Sequence, residues 1–119
     1  MAKIDSFDFG SIVVDGRRYV YDVLILPDGT VRERVASRAR LRSHTITSHE
    51  IEGIGKLQPD IIVVGTGTSE LASLSDNAYV YVKRSNLNLV LLPSPQAVEK
   101  FNQLIDEGKR VAALIHITC

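Results

Sequence analysis

The stretch Ile61-Ile62-Val63-Val64-Gly65-Thr66-Gly67-Thr68 decides the fold of this chain. Its four leading apolar residues would be buried on both faces, which is typical of an interior strand of a parallel sheet. The turn that follows, Gly65, Thr66, Gly67 and Thr68, would then lie at the carboxyl end of a central strand. Because α/β sheets bind ligands at that end, this turn is the first candidate for a functional site.

Two further segments predict interior strands nearer the C-terminus. Leu89 to Leu92 and Val111 to Ile115 are apolar throughout, and a parallel arrangement of such strands requires long crossovers between them. The second crossover is the clearest helix, with Ser94 as N-cap, Pro95 in its first turn and Gly108 closing it. Its apolar stripe consists of Ala97, Val98, Phe101, Leu104 and Ile105.

Two more helices are expected earlier in the chain. Thr47 and Glu50 form a capping-box pattern ahead of apolar residues at helical spacing, and this helix ends before Pro59. Ser75 or Asp76 can cap a helix in the first crossover, although the following tyrosines and valines favour strands by propensity. We predict helix there, because a parallel crossover needs that length.

The N-terminal third predicts antiparallel hairpins. Ser11 to Val14 and Tyr19 to Leu26 read as strands joined by a tight turn at Asp15-Gly16, and Pro27-Asp28-Gly29-Thr30 makes a second turn. The sum is one α/β domain over residues 1–119, with β-hairpins followed by β-α-β-α-β.

Composition excludes several classes of protein. The formal net charge is +0, with 14 basic and 14 acidic residues, so no overall field attracts nucleic acid. The longest apolar runs are far shorter than the ~20 residues that span a bilayer, and we expect no membrane insertion. Cys119 is the one cysteine and the N-terminus has no secretory signal pattern, so we expect a cytoplasmic protein.

A run of arginines is the strongest local charge feature. Arg34, Arg38, Arg40 and Arg42 share one strand face by parity, and Arg34, Arg38 and Arg42 are also four apart, as on a helix. We favour a strand followed by a loop. This face is either simply solvated or the contact surface for an acidic or phosphate-bearing partner, and no aromatic residue lies within it to stack on bases.

The candidate chemistry of the chain is sparse. The Gly65 to Thr68 turn lacks the third glycine of a dinucleotide fingerprint and the lysine of a P-loop, yet its amides could hold an anion near His44. His116 and Cys119 would diverge on an extended strand, so we expect no metal site and no cofactor. No nucleophile elbow or paired carboxylates are present, and we assign no catalytic residue.

The C-terminal third resembles a known family. The residues that carry the likeness are Pro95 to Leu104, Glu107 to Ala113 and the ending His116-Ile117-Thr118-Cys119, with support from the Ile61 to Gly67 strand and turn and from His44. The pattern is similar to the small Mth-type domains of unknown function, a family that includes an adipogenesis-associated protein and an assembly factor of respiratory complex I.

The resemblance implies a three-layer α/β fold, with a central mixed, mostly parallel sheet whose last strand is antiparallel and with N-terminal β-hairpins against it. It implies no catalytic residues. Unlike relatives with a tryptophan-rich strand ahead of the histidine, this chain has no Trp and carries arginines there. That difference bears on any partner surface shared with those relatives.

Two hypotheses for function follow. The first is a non-enzymatic protein-interaction or assembly module that uses the arginine face to bind a protein partner. The second is an anionic-ligand site, with or without catalysis, between the Gly65 to Thr68 turn and His44. A homodimer through an exposed hairpin edge and a short, charged edge that prevents pairing are both open.

Overall fold

A five-stranded mixed sheet forms the centre of the protein, with the strand order β5-β4-β10-β7-β9. The computed structural model describes residues 2–35 and 44–119. The strands are β1 (Ile4–Asp8), β2 (Ser11–Val14), β3 (Arg17–Tyr19), β4 (Val23–Ile25), β5 (Val31–Glu33), β6 (Thr45–Ile46), β7 (Ile61–Gly65), β8 (Ser73–Leu74), β9 (Leu89–Leu92) and β10 (Val111–Ile115), and the helices are α1 (Ser48–Gly55), α2 (Asp76–Arg84) and α3 (Ser94–Asp106).

The sheet is built around β7 and β10, which are parallel neighbours. Every residue of both strands is buried, which confirms the prediction from their apolar sequences. β9 adds in parallel to the other side of β7, and β4 pairs antiparallel with β10. Strand β5 is also antiparallel to β4. Strand β4 therefore runs opposite to both of its neighbours, β5 and β10.

Two cores lie on opposite faces of the sheet, so the three-layer α/β arrangement is confirmed. On one face, Phe101 of α3 packs with Ile12 of the N-terminal strands and with Val63. On the other face, Ile51 of α1 and Ala78 of α2 pack against the central strands. The central strands β7 and β10 are therefore buried on both faces of the sheet.

The N-terminal strands β1, β2 and β3 form their own antiparallel sheet. The predicted turn at Asp15-Gly16 joins β2 to β3, with φ of 51° and 80° as two-residue hairpins require. The single strand predicted from Tyr19 to Leu26 is wrong, because the chain leaves β3 after Tyr19 and starts β4 in the other sheet at Val23. Strand β1, which precedes this hairpin, was not predicted.

The helices fulfil most of the capping predictions. Thr47 and Glu50 form the capping box of α1, and Ser75 caps α2 through the N–H of Ala78. The prediction for α3 is wrong in one respect: Pro93 occupies the N-cap position and Ser94 is the first helical residue. The hydroxyl of Ser94 is used elsewhere, as described below.

Strand β9 differs from the interior strand that its sequence predicts. It pairs with β7 on one side only and forms an edge of the described sheet, and its residues are half-buried or exposed. An apolar edge strand carries the same sequence signal as an interior one when a helix covers one face. None of the helices in the described ranges has the length and hydropathy needed to cross a bilayer.

Candidate functional site

The break between β3 and β4 places the carboxylate of Asp22 inside the protein, 3% exposed. Its Oδ2 atom lies 2.8 Å from Nδ1 of His116 and accepts from Nη1 of Arg34 at 2.9 Å, while Oδ1 accepts the N–H of Ile117 at 3.0 Å. A buried carboxylate is tolerated only when it is paired and hydrogen-bonded in this way. Asp22 thus joins the start of the central sheet to the end of its last strand.

Arg34 completes this buried polar network. Its side chain is 0% exposed; Nε donates to Glu50 Oε1 at 2.6 Å, and Nη2 donates to the carbonyl of Thr45 at 3.0 Å. The prediction that Arg34 belongs to an exposed interaction surface is therefore wrong. Its guanidinium pairs with two carboxylates, those of Asp22 and Glu50, so the residue links the sheet to α1 rather than facing a partner.

The charge states in the network follow from these contacts. Burial raises the pKa of Asp22, but the hydrogen bonds from His116, Ile117 and Arg34 outweigh it and hold that pKa below its ordinary value of 3.8. Burial likewise lowers the pKa of Arg34, while Glu50 and Asp22 raise it above its ordinary range. Asp22 is therefore a carboxylate and Arg34 a cation at neutral pH.

His116 sits at the centre of a second set of contacts. Its ring is 1% exposed, with Nε2 lying 3.2 Å from Thr118 Oγ1. The ring of His44 packs against it edge to face, with centroids 5.1 Å apart, and Nε2 of His44 lies 4.0 Å from Sγ of Cys119. Within residues 2–35 and 44–119, no group of three or more His, Cys, Asp or Glu side chains could hold a metal ion.

The order of hydroxyl, imidazole and carboxylate in Thr118, His116 and Asp22 matches that of a proton relay. Here it serves the fold, because both ring nitrogens of His116 already face protein groups and the ring is buried. A general base must reach a proton on a substrate. The arrangement therefore fixes the ring in one orientation and holds the segment from His116 to Thr118 against Asp22.

The predicted turn after β7 lies next to His116, but the amides of Thr66, Gly67 and Thr68 are not available to a ligand. The N–H groups of three turn residues all donate within the protein. Their acceptors are the carbonyl of Leu92 for Thr66 at 2.9 Å, Oγ of Ser94 for Gly67 at 2.8 Å, and the carbonyl of Thr118 for Thr68 at 2.8 Å. The prediction that this turn and His44 hold an anion through backbone amides is wrong for that reason.

Gly67 has a packing role instead. Its φ is +103°, and a Cβ atom there would lie 2.5 Å from the carbonyl carbon of Cys119 and 2.9 Å from Cδ2 of His116. The side chain of Ser94 also contacts the C-terminal segment, because its Oγ donates to the carbonyl of His116 at 2.5 Å. The glycine lets the C-terminal segment pass directly over the turn.

Two exposed apolar side chains flank the C-terminal segment. Phe9 is 65% exposed, and the adjacent Gly10 donates its N–H to the carbonyl of Ile117 at 2.7 Å. Leu71 is 54% exposed, and its own N–H donates to the carbonyl of Cys119 at 2.9 Å. Both side chains are therefore held at the carboxyl end of β10.

Two more exposed apolar residues adjoin the buried network. Val20 is 67% exposed and lies two residues before Asp22; Val35 is 71% exposed and directly follows Arg34. Large apolar side chains at this exposure mark contact surfaces when they cluster. We refer to Phe9, Val20, Val35 and Leu71 together as the apolar rim.

Three of the four predicted interaction arginines, Arg38, Arg40 and Arg42, lie outside the described residues. Their segment connects Val35, a member of the apolar rim, to His44. In sequence, these cationic residues lie between Val35 and His44.

Comparison with known families now identifies the chain. Residues 4–116 match the model described as Protein of unknown function (DUF498/DUF598). The chain belongs to this family. The DUF498 match spans both the N-terminal hairpin sheet and the central sheet, so it includes Asp22, Arg34 and His116.

Solved structures share this DUF498 fold. The conserved hypothetical protein PH1505 from Pyrococcus horikoshii OT3 is 28% identical, with 98% of this chain and 99% of that chain covered and a TM-score of 0.85. The protein MT938 is 26% identical over 100% of both chains, with a TM-score of 0.83. A Mth938-like domain from Bordetella pertussis is 17% identical over 97% and 85% of the two chains, with a TM-score of 0.74. The resemblance to Mth-type domains is thereby confirmed.

Sequence reasoning missed the role of Asp22 in this DUF498 member. A signal was present, since an acidic residue interrupts the apolar run from Tyr19 to Leu26. A charge among residues that must be buried requires a partner. The prediction of one strand from Tyr19 to Leu26 took no account of Asp22 and therefore indicated no partner for it.

Proposed function

We propose that this chain is a non-enzymatic protein-interaction module that assists the assembly of a larger complex, and that it binds its partner through the apolar rim. The observation that carries the proposal is the exposure of Phe9 and Leu71 at the carboxyl end of β10, together with exposed Val20 and Val35 close in sequence to Asp22 and Arg34 of the buried network. Exposed apolar side chains on a rigid support mark binding surfaces.

The partner has both apolar and acidic groups. The apolar part follows from the rim, and the acidic part from Arg38, Arg40 and Arg42, whose segment begins directly after Val35. Charges at the border of an interface mainly steer association, whereas apolar anchors mainly slow dissociation. The cytoplasmic location predicted from the cysteine content belongs to this proposal.

A binding role agrees with the way the polar groups are used. His116 and Asp22 make hydrogen bonds with other groups of the protein. The amides of Thr66, Gly67 and Thr68 do the same. These groups support the surface and are not offered to a substrate. The exposed side chains at this end of the sheet are apolar instead.

The test compares a rim variant with a matched control. Phe9→Ser combined with Leu71→Ser removes two anchors, whereas Leu57→Ser removes one exposed leucine at the opposite end of the sheet, where the carbonyl of Leu57 accepts from Arg110. Proteins captured from the native cell extract by the unaltered chain are identified, purified and measured against each variant by calorimetry. All three changes lie at exposed sites, so the unfolding midpoints should stay similar.

We expect the rim variant to bind at least about tenfold more weakly and the Leu57 variant to bind like the unaltered chain. Replacing Arg38, Arg40 and Arg42 by Glu should slow association and reduce its dependence on salt. Equal affinity of the rim variant and the Leu57 variant for every captured protein would overturn the proposed surface.

A further inference from the structure

The outer edge of β9 carries unpaired backbone groups in a defined register. Asn88 and Leu92 offer their carbonyls to β7, accepting from the N–H groups of Ile62 and Thr66, each at 2.9 Å. Because backbone groups of successive strand residues point to opposite sides, the N–H and C=O groups of Leu89 and Leu91 point away from β7. In the described sheet, no strand pairs with this side of β9.

The surface beside this edge combines apolar side chains with the polar Lys83 and Asn86. A groove of about 320 Å³ runs between α2 and β9, and its lining includes Leu74, Tyr79, Val82, Lys83, Leu89 and Leu91. Tyr79 is 55% exposed, Val80 48% and Leu91 44%. We refer to Tyr79, Leu89 and Leu91, which line this groove, as the edge face, and burying it would remove apolar area from water.

Charges are arranged along α2 with opposite signs at its two ends. Asp76 lies in the first turn, and Lys83 and Arg84 lie in the last turn, with Nζ of Lys83 5.4 Å from the ring centroid of Tyr79. Tyr79 and Val80 lie between these ends. A helix with this pattern is complementary to an antiparallel copy of itself, because each acidic end then faces a basic end.

We propose that the edge face binds a second copy of this chain across a two-fold axis, with β9 pairing antiparallel to β9 of the other copy. Leu89 of each copy lies opposite Leu91 of the other and exchanges N–H and C=O bonds with it, and the two sheets become one. The two α2 helices then lie antiparallel on the same face. This interface is separate from the apolar rim.

The chain limits this pairing to a dimer. Pro93 occupies the next outward-facing position and has no N–H to donate, so the ladder stops after Leu91. An interface in which each copy uses the same patch is closed after two copies. The edge that β9 exposes in one copy is thereby covered without forming an open chain of strands.

The first experiment measures the oligomeric state of the full chain by sedimentation equilibrium at up to about 0.1 mM, where a micromolar dimer would be well populated. Leu91→Glu inserts a charge into the edge face, and Leu57→Glu places the same charge at an exposed leucine at the other end of the sheet. We expect a dimer for the unaltered chain and for Leu57→Glu, and at least about tenfold weaker association for Leu91→Glu. A monomeric unaltered chain, or a dimer unaffected by Leu91→Glu, would overturn the inference.

A charge exchange tests the antiparallel geometry independently of Leu91. Asp76→Lys alone and the double change Lys83→Asp with Arg84→Asp should each weaken the homodimer, because like charges then face one another. Mixing the two variants should restore association, since the lysine introduced at position 76 of one chain would face the two new aspartates of the other. Failure of the mixture to associate would contradict the antiparallel pairing, and Phe9→Ser with Leu71→Ser should leave the dimer intact.

Discussion

The Nδ1 atom of His116 lies 2.8 Å from the Oδ2 atom of Asp22, across a sequence separation of 94 residues. Both side chains are almost fully buried. The contact connects the segment where the chain passes from the hairpin sheet into the central sheet with the residue that follows the last strand. Arg34 donates to the same carboxylate, so one buried acid organises three parts of the fold.

Asp22→Asn should destabilise the protein by about 3–5 kcal/mol, which is the typical cost of removing one partner of a buried ion pair. The amide keeps the shape of the side chain, but it removes the negative charge next to Arg34. It also presents an N–H₂ donor to Arg34 and Ile117, which need an acceptor. The free energy of unfolding in urea measures this loss. The total unfolding free energy of a small domain is about 5–15 kcal/mol, so this loss would be a large part of it.

Asp106→Asn is the matched control for that change. Asp106 is 66% exposed on its side chain, and its nearest cation is Lys3 at 3.7 Å, so its loss should cost less than about 1 kcal/mol. Similar losses for the two variants would mean that the Asp22 network contributes no more than a surface pair.

The stabilisation supplied by Asp22 should depend on pH in one direction. Because the pKa of Asp22 is lowered from 3.8 on folding, the unfolded state binds more protons, and stability falls as the pH falls. The contribution is fully present well above pH 3.8, and it is lost as the pH drops below that value and through the lower folded value. The difference in unfolding free energy between the unaltered chain and Asp22→Asn should shrink over that acidic range; a difference that stays constant would contradict the linkage.

Gly67→Ala should be more harmful than Gly10→Ala. Both glycines have positive φ, of +103° and +87°, but a Cβ at Gly67 would lie 2.5 Å from the backbone of Cys119, whereas Gly10 has nothing within 4 Å. Backbone strain alone should cost about 1–2 kcal/mol at Gly10. The clash should add about 1–3 kcal/mol at Gly67. The shift in urea midpoint measures both effects. Equal shifts for the two variants would show that the backbone at Cys119 moves away from the new methyl group at little cost.

Two glycines of α1 should respond in different ways to the same change. Gly53 is exposed, and a Cβ placed there would have nothing within 4 Å, so Gly53→Ala should raise stability by about 0.5–1 kcal/mol through helix propensity. At Gly55 the new methyl group would meet Oη of Tyr81 at 3.2 Å and Cδ1 of Leu87 at 3.3 Å. We therefore expect Gly55→Ala to give a smaller gain or a loss in thermal unfolding, and a larger gain there than at Gly53 would be evidence against this packing.

The elements with a strong local signal were predictable from sequence. The fully buried strands β7 and β10 follow from unbroken apolar runs, and α1 follows from the Thr47 and Glu50 capping box. These features depend on neighbours in the chain, so the sequence contains all the information needed. The type I′ geometry of Asp15-Gly16 belongs to the same class.

The features that sequence reasoning missed depend on distant residues. Nothing close to Arg34 in sequence indicates that Asp22 and Glu50 neutralise it inside the protein. Ser94 shows a related error: it has the residue type of an N-cap, but its hydroxyl bonds Gly67 and His116 across the sheet. In both cases a tertiary contact outweighed the local preference of the residue.

The structure places the candidate turn and His44 next to His116, which the sequence analysis treated as a separate residue. A Cβ atom at Gly67 would lie 2.9 Å from Cδ2 of His116, and the ring centroid of His44 lies 5.1 Å from that of His116. The use of the turn amides could not be predicted, because their acceptors belong to residues 92, 94 and 118. Whether an N–H group is available to a ligand depends on what the rest of the chain brings to it.

The long separation between Asp22 and His116 has a consequence for the order of folding during synthesis. A nascent chain can close the hairpin of β2 and β3 early, but Asp22 lacks its partners His116 and Ile117 until that part of the chain has left the ribosome. Contacts completed last are weakly formed in the folding transition state, so their loss mainly accelerates unfolding. Loss of the polar network should therefore raise the unfolding rate and leave the folding rate nearly unchanged.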